Sequence, residues 1–210
     1  MIINKRHSEQ VAEILLNINA VKLQPSNFFT WASGKKSPIY CDNRVLLSYV
    51  KERKIMRDLF CQCIRTNFND IHYIAGVATG AIAHGMMIAE QLNLPFIYVR
   101  SQAKEHGRKN MIEGYLKNNS NVLVVEDLIS TGGSSLKAIE AIQANGSNVI
   151  GLVSIFTYGF FKMNMTNIPY FSLCDYPTLI DTAIHSKIIN QNEKKILFEW
   201  QNKMINSIRT

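Results

Sequence analysis

The feature that most constrains the fold is a change of rhythm beginning near Ile71. From there the chain alternates IHYIAGVATG, AIAHGMMIAEQL, PFIYVR, NVLVVED, SSLKAIEAIQAN and NVIGLVSIFTY. The first, third, fourth and sixth are short apolar runs that read as buried strands. The second and fifth read as helices, the fifth closed by Gly146 at a C' position. Strands alternating with helices specify an α/β fold with a central parallel sheet and helices on both faces, because each parallel neighbour is reached by a covering crossover. In such sheets ligands bind beyond the carboxyl ends of the strands.

On the amino-terminal side, Val11, Ile14, Leu15 and Ile18 form one apolar helical face, with Ser8 as the expected N-cap. A second helix is expected from Ser48, carrying Met56, Leu59, Phe60 and Cys63. Between them LQPSNFFTWASGKKSPIYCDNR has no period. Aperiodic stretches of that length are functional or disordered, and Phe28, Phe29, Trp31 and Tyr40 argue against disorder. At the carboxyl end, DYPTLIDTAIHSKII gives a helix after Pro177, and EKKILFEWQNKMINSI places Leu197, Trp200, Met204 and Ile208 on one face. Both read as packing elements, with Trp200 in the core.

The chain of 210 residues fits a single domain, 1–210. MIINKRHSEQ lacks the apolar core of a signal peptide, and no apolar run approaches the roughly 18 residues of a spanning helix, so a cytoplasmic protein without membrane contact is expected. Cys41, Cys61, Cys63 and Cys174 contain no CxxC pair, which suggests free thiols and no metal held directly by the protein. A net charge of +7 admits nucleic acid, a membrane surface or a polyphosphorylated small molecule as partner. The basic residues are spread along helices such as VKERKIMRD and NEKKILFEW, so solvated faces explain them better than a nucleic-acid patch.

The chemistry concentrates in VLVVEDLISTGGSSLKAI, from Val122 to Ile139. A strand leads into Glu126 and Asp127, and then a turn of Thr131, Gly132, Gly133, Ser134 and Ser135 opens a helix. A loop at a helix start is an anion site, because unpaired N–H groups and the positive end of the helix dipole face the ligand. It is neither a GxxxxGK[ST] phosphate loop nor a GxGxxG fingerprint. The two carboxylates can accept hydrogen bonds from sugar hydroxyls, so the combination describes a site for a phosphorylated sugar. The plainer alternative is that the acids merely solvate a strand end.

VLVVEDLISTGGSS resembles the phosphoribosyl pyrophosphate (PRPP) motif of type I phosphoribosyltransferases. A second basic segment, SQAKEHGRKNMIEGYLKNNS, lies between two strands, and VRSQAKEHG followed by EG is similar to the corresponding loop of orotate phosphoribosyltransferases. FTWASGKKSPIYCDNR is similar to the amino-terminal region that covers the substrate in that family.

The resemblance implies a small amino-terminal hood over about residues 20–45, a mobile active-site loop over 101–120, and a homodimer whose subunits share active sites. It places Arg100, Lys104 and His106 on the pyrophosphate of PRPP, with Arg108 a further cation on the loop. Glu126, Asp127, Leu128, Ile129, Ser130, Thr131, Gly132, Gly133 and Ser134 would hold the ribose and its phosphate, and Ser130 would touch orotate. Lys104, His106, Glu126 and Asp127 are the implied catalytic residues, and Mg2+ the implied cofactor, held mainly by PRPP. Lys36 is a further candidate for substrate contact.

The chain departs from the family pattern where some members carry a lysine, at Ala32 and Gly80, and where some carry an orotate-binding arginine, at Thr157 and Tyr158. Arg44 is a candidate substitute. Two other functions fit the same motifs: transfer to another base such as a purine, and a non-catalytic PRPP-binding regulator of transcription.

Overall fold

The computed structural model of the chain describes residues 4–31, 34–102, 111–160 and 167–209. Helix α1 (Lys5–Asn17) starts before the expected Ser8: Asn4 is its N-cap and accepts from the Arg6 and His7 amides. Ser8 is instead buried inside the helix with Val11 and Leu15. The aperiodic segment that follows folds into two small antiparallel pairs, β1 (Val21–Leu23) with β4 (Ile39–Cys41), and β2 (Phe29–Thr30) with β3 (Lys36–Ser37). A 3-10 turn (Asn43–Ser48), capped by Asp42, leads into α2 (Val50–Asn67), so the expected helix at Ser48 begins two residues later.

The alternating region forms β5 (Tyr73–Val77), α3 (Ala81–Leu92), β6 (Phe96–Val99), β7 (Ile112–Glu113), β8 (Asn121–Ile129), α4 (Gly133–Ala144) and β9 (Asn148–Thr157). Then come β10 (Tyr170–Asp175), α5 (Tyr176–His185) and α6 (Gln191–Arg209). The sheet order is β10-β9-β8-β5-β6-β7, and every pairing is parallel except that of β6 with β7. The expected parallel sheet therefore carries one short antiparallel edge strand. Strands β7 and β10 have no counterpart in the sequence reading.

Each face of the sheet has its own core. On one, α1, α2, α3 and α5 contribute Leu15, Phe60, Ile88 and Leu179, packed over Ile74, Leu123 and Val125. On the other, Ala138, Ile139 and Ile142 of α4 cover Ala75, Val122, Val124 and Leu152. Neighbouring β8 residues thus divide between two apolar layers, as the pleat of a strand requires. Helix α6 brings Trp200 under the small amino-terminal sheets, where its indole N–H donates to the Lys36 carbonyl at 3.1 Å. Among the described residues no helix is long and apolar enough to cross a membrane.

Candidate active site

From β5 the chain moves outward to β6, and from β8 it moves the other way to β9. The carboxyl ends of β5 and β8 therefore lie side by side at the point where strand order reverses, which is where open α/β sheets bind ligands. The segment Ala78–Gly80 leaves one strand there. Glu126 and Asp127 lie on the other, which continues through Ile129 instead of ending at the acids.

The pleat turns the two acids in opposite directions. Glu126 is 3% exposed and its Oε1 accepts from the Ser134 hydroxyl at 2.7 Å and the Ser135 hydroxyl at 2.9 Å. Burial pushes its carboxyl up to about 7, outweighing the two serine donors, which favour the charged form. Asp127 stays partly exposed, and its carboxylate rests against Gly80 at the start of α3. Burial raises this carboxyl as well, opposed by the Asp127 and Leu128 amides and by Arg44. Its main-chain carbonyl accepts from the Asn43 side-chain amide at 2.6 Å, which ties the 3-10 turn to the acidic strand.

Beyond β8, Ser130 and Thr131 run into Gly132, whose φ of +84° is the left-handed conformation that favours glycine. That turn starts α4 abruptly, leaving the first-turn amides without intrahelical acceptors and gathered at the positive end of the helix dipole. A Cβ built on Gly133 would meet nothing within 4 Å, so the backbone is open to a ligand on that side. Thr131, Gly133 and Ser134 are exposed. The arrangement can hold one phosphate through main-chain N–H groups.

Next to it lies a cleft of about 270 Å³ lined by Thr30, Trp31, Tyr40, Cys41, Leu128, Ser130 and Tyr158. The small amino-terminal sheets supply one wall and the ends of β8 and β9 the other. Tyr158 is 2% exposed and holds the wall as part of an aromatic cluster: its ring centroid lies 5.6 Å from Trp31, 5.3 Å from Phe156 and 5.2 Å from Phe160. Trp200 meets Trp31 edge-on at 5.7 Å. The expected core tryptophan is thus also the buttress of this wall. A largely apolar, aromatic-lined cleft beside a phosphate site suits an aromatic base.

The other candidates are placed as follows. Arg100 follows β6, and its guanidinium lies 3.4 Å from Glu113 of β7. Lys36 donates to the Thr30 hydroxyl at 2.7 Å on the rim. Arg44 is locked on Asp42 by bonds of 2.7 and 2.8 Å, at the surface. Thr157 donates to the Ile129 carbonyl at 3.3 Å and accepts the Gly159 amide at 3.1 Å, so it braces the turn after β9. Lys104, His106, Arg108 and Ala32 lie outside the described residues. The sequence reading did not single out Asn43 as a strut or Cys41 as a wall, although both fall in FTWASGKKSPIYCDNR, which it took to cover the substrate; Leu128, which it placed with the ribose and its phosphate, lines the cleft.

Residues 46–174 match the family model described as "Phosphoribosyl transferase domain". The chain belongs to the phosphoribosyltransferases. Its relatives narrow this further. It is 46% identical over 201 residues to an orotate phosphoribosyltransferase of Staphylococcus epidermidis, covering 94% of this chain and 99% of that one. It is 50% identical over 196 residues to that of Phocaeicola vulgatus, covering 90% and 92%. Among solved structures, orotate phosphoribosyltransferase from Aeropyrum pernix superposes with a TM-score of 0.73 at 28% identity, over 81% of this chain and 96% of that chain. UMP synthase of Leishmania donovani gives 0.80 at 25% identity, over 95% of this chain and 43% of that chain. Within the phosphoribosyltransferases the chain is a member of the orotate phosphoribosyltransferase family.

Proposed function

We propose that the protein transfers the 5-phosphoribosyl group of PRPP to N1 of orotate, releasing pyrophosphate and forming orotidine 5'-phosphate, the precursor of UMP. The observation that carries this reading is the contiguity of three parts: the phosphate turn at Thr131–Ser134, the acids of β8, and the aromatic cleft that shares Ser130 with the turn. In this arrangement the 5-phosphate sits on the first-turn amides of α4 and the ribose hydroxyls meet Asp127 and Glu126. Orotate lies in the cleft lined by Trp31 and Tyr158, touching Ser130. The C1–oxygen bond of PRPP breaks toward an oxocarbenium-like transition state, and N1 of orotate attacks from the opposite face, its proton passing through His106 to the departing pyrophosphate. The protein contributes positioning and charge: carboxylates beside the developing ribose cation, and Arg100, Lys104 and His106 on the departing pyrophosphate.

Mg2+ would be held mainly by the pyrophosphate and ribose hydroxyls of PRPP, as this cation is rarely held in an all-protein cage. Asp127, partly exposed next to the phosphate turn, would lie beside the chelated cation and offset its charge. When bound, the cation neutralises charge on the pyrophosphate. The closing segment around Lys104 and His106 would reach the site from the other subunit of a homodimer. Free thiols at Cys41, Cys61, Cys63 and Cys174 suit a reducing cytoplasm.

The test offers purified protein PRPP and Mg2+ with orotate, adenine or uracil in turn. Orotate alone should be consumed, with equimolar pyrophosphate. Turnover of adenine in preference to orotate would refute the acceptor, and PRPP binding without turnover of any base would favour the regulatory alternative.

A further inference from the structure

Asp127 and Gly80 meet at the switch point, and the contact is closer than a side chain at residue 80 would permit. A Cβ built on Gly80 falls onto the Asp127 carboxylate, colliding with its carbon and both oxygens. Three other features decide what would yield. The Asp127 main chain is pinned, because its carbonyl accepts from Asn43 at 2.6 Å and its neighbours pair with β9 at Glu126↔Ser154 and Leu128↔Phe156. The segment that leads to Gly80 is held too, with the Ala78 amide on the Val99 carbonyl at 2.8 Å and the Ile82 amide on the Thr79 carbonyl at 3.3 Å. Gly80 itself has φ −62° and ψ −35°, a helical conformation that any L-residue adopts. Nothing in the backbone requires glycine there. In this chain the Asp127 carboxylate fills the space that a side chain there would take, whereas family members with a lysine at this position must seat the acid differently.

We infer that Gly80 is a positioning residue for the reaction: its missing side chain fixes where the Asp127 carboxylate stands, and Asn43 holds the Asp127 peptide. The inference rests on the assignment of Asp127 to the ribose. With both backbones held, alanine at residue 80 is met by rotation of the carboxylate about its own short side chain, out of the position it holds in the wild type. Because the backbone there is helical, alanine is tolerated by the fold and removes conformational freedom from the unfolded chain. The substitution is therefore expected to be quiet in stability and loud in turnover, opposite to the behaviour of a glycine kept for its backbone.

The experiment compares wild type, G80A, D127N and G80A/D127N, measuring melting temperature, kcat, and KM for both substrates. G80A should melt no lower than wild type and lose about 10- to 100-fold in kcat, the cost of misplacing a reacting group by about 1 Å. In the D127N background, where the carboxylate is already gone, the same change should alter the residual rate by less than about twofold. A G80A enzyme with wild-type kcat, or a G80A effect that multiplies the D127N loss in full, overturns the positioning role while leaving Asp127 in place. A D127N enzyme with wild-type kcat overturns the assignment of Asp127 and this inference together. Should G80A fail to fold, G80A/D127A removes the collision and should fold; a double variant that still does not fold overturns the inference.

Discussion

Replacing Glu126 by Gln separates the charge of the buried acid from its hydrogen bonds. Gln keeps an oxygen that can accept from Ser134 and Ser135, and it stays neutral at every pH. In the wild type, burial lifts the carboxyl from its ordinary value of 4.5 to about 7, so between those values the folded protein holds a proton that the unfolded chain has released. Stability then falls as pH rises across that window. It is unaffected by this group below 4.5, where both states are protonated, and above about 7.5, where both are ionised. At about 1.4 kcal/mol for each tenfold change in ionisation, the wild type loses roughly 3 kcal/mol through Glu126 on going from pH 4.5 to 8. E126Q should match the wild type near pH 4.5 and exceed it by that amount at pH 8. For a chain of this size, that corresponds to a melting temperature higher by roughly 6–12 °C. The assay is thermal or urea unfolding of both proteins at half-unit steps from pH 4.5 to 8.5. A difference between them that is constant across the range would refute the reasoning, since only a raised and buried acid makes it grow with pH.

Two further outcomes test the site as a whole. If active sites are shared across a homodimer, refolding inactive K104A together with inactive D127A should restore about one quarter of wild-type activity through hybrid dimers, each with one intact site; a mixture that stays inactive contradicts sharing. Removing the indole wall with W31A should raise the KM for orotate about tenfold, equivalent to about 1.4 kcal/mol of aromatic contact, while PRPP binding by calorimetry is unchanged. Equal weakening of both substrates would mean that Trp31 serves the fold and not the acceptor cleft.

What was legible in the sequence follows from how local each signal is. Strands β5, β6, β8 and β9 and helices α3 and α4 stand where periodicity puts them, because each buries enough apolar surface within its own segment to announce itself. The phosphate turn was legible for the same reason: Thr131 to Ser135 carry the donors and the glycine freedom in one run. Strand β10 escaped because YFSLCD mixes Ser172 into its apolar run, and Ser172 finds its partners in the fold, the Cys174 carbonyl at 2.7 Å and the Ser154 hydroxyl of β9 at 3.0 Å among them. Strand β7 is two residues long and exists through its pairing with Tyr98 and Val99. The opposed directions of Glu126 and Asp127 follow from the pleat, and the partners of Glu126, Ser134 and Ser135, stand in the same run, yet those of Asp127, Gly80 and Asn43, come from distant elements. Tyr158 and Trp200 lie far apart in the chain, and only the folded aromatic cluster turns two core residues into the support of a cleft.

The central claim is that one ligand spans the turn, the acids and the cleft. A crystal structure with orotidine 5'-phosphate tests it most directly. The account predicts the phosphate on the amides of Thr131–Ser134, ribose hydroxyls within hydrogen-bond distance of Asp127, and the base in the cleft lined by Trp31, Tyr158 and Ser130. A phosphate bound away from the α4 turn, or a base outside that cleft, would contradict it.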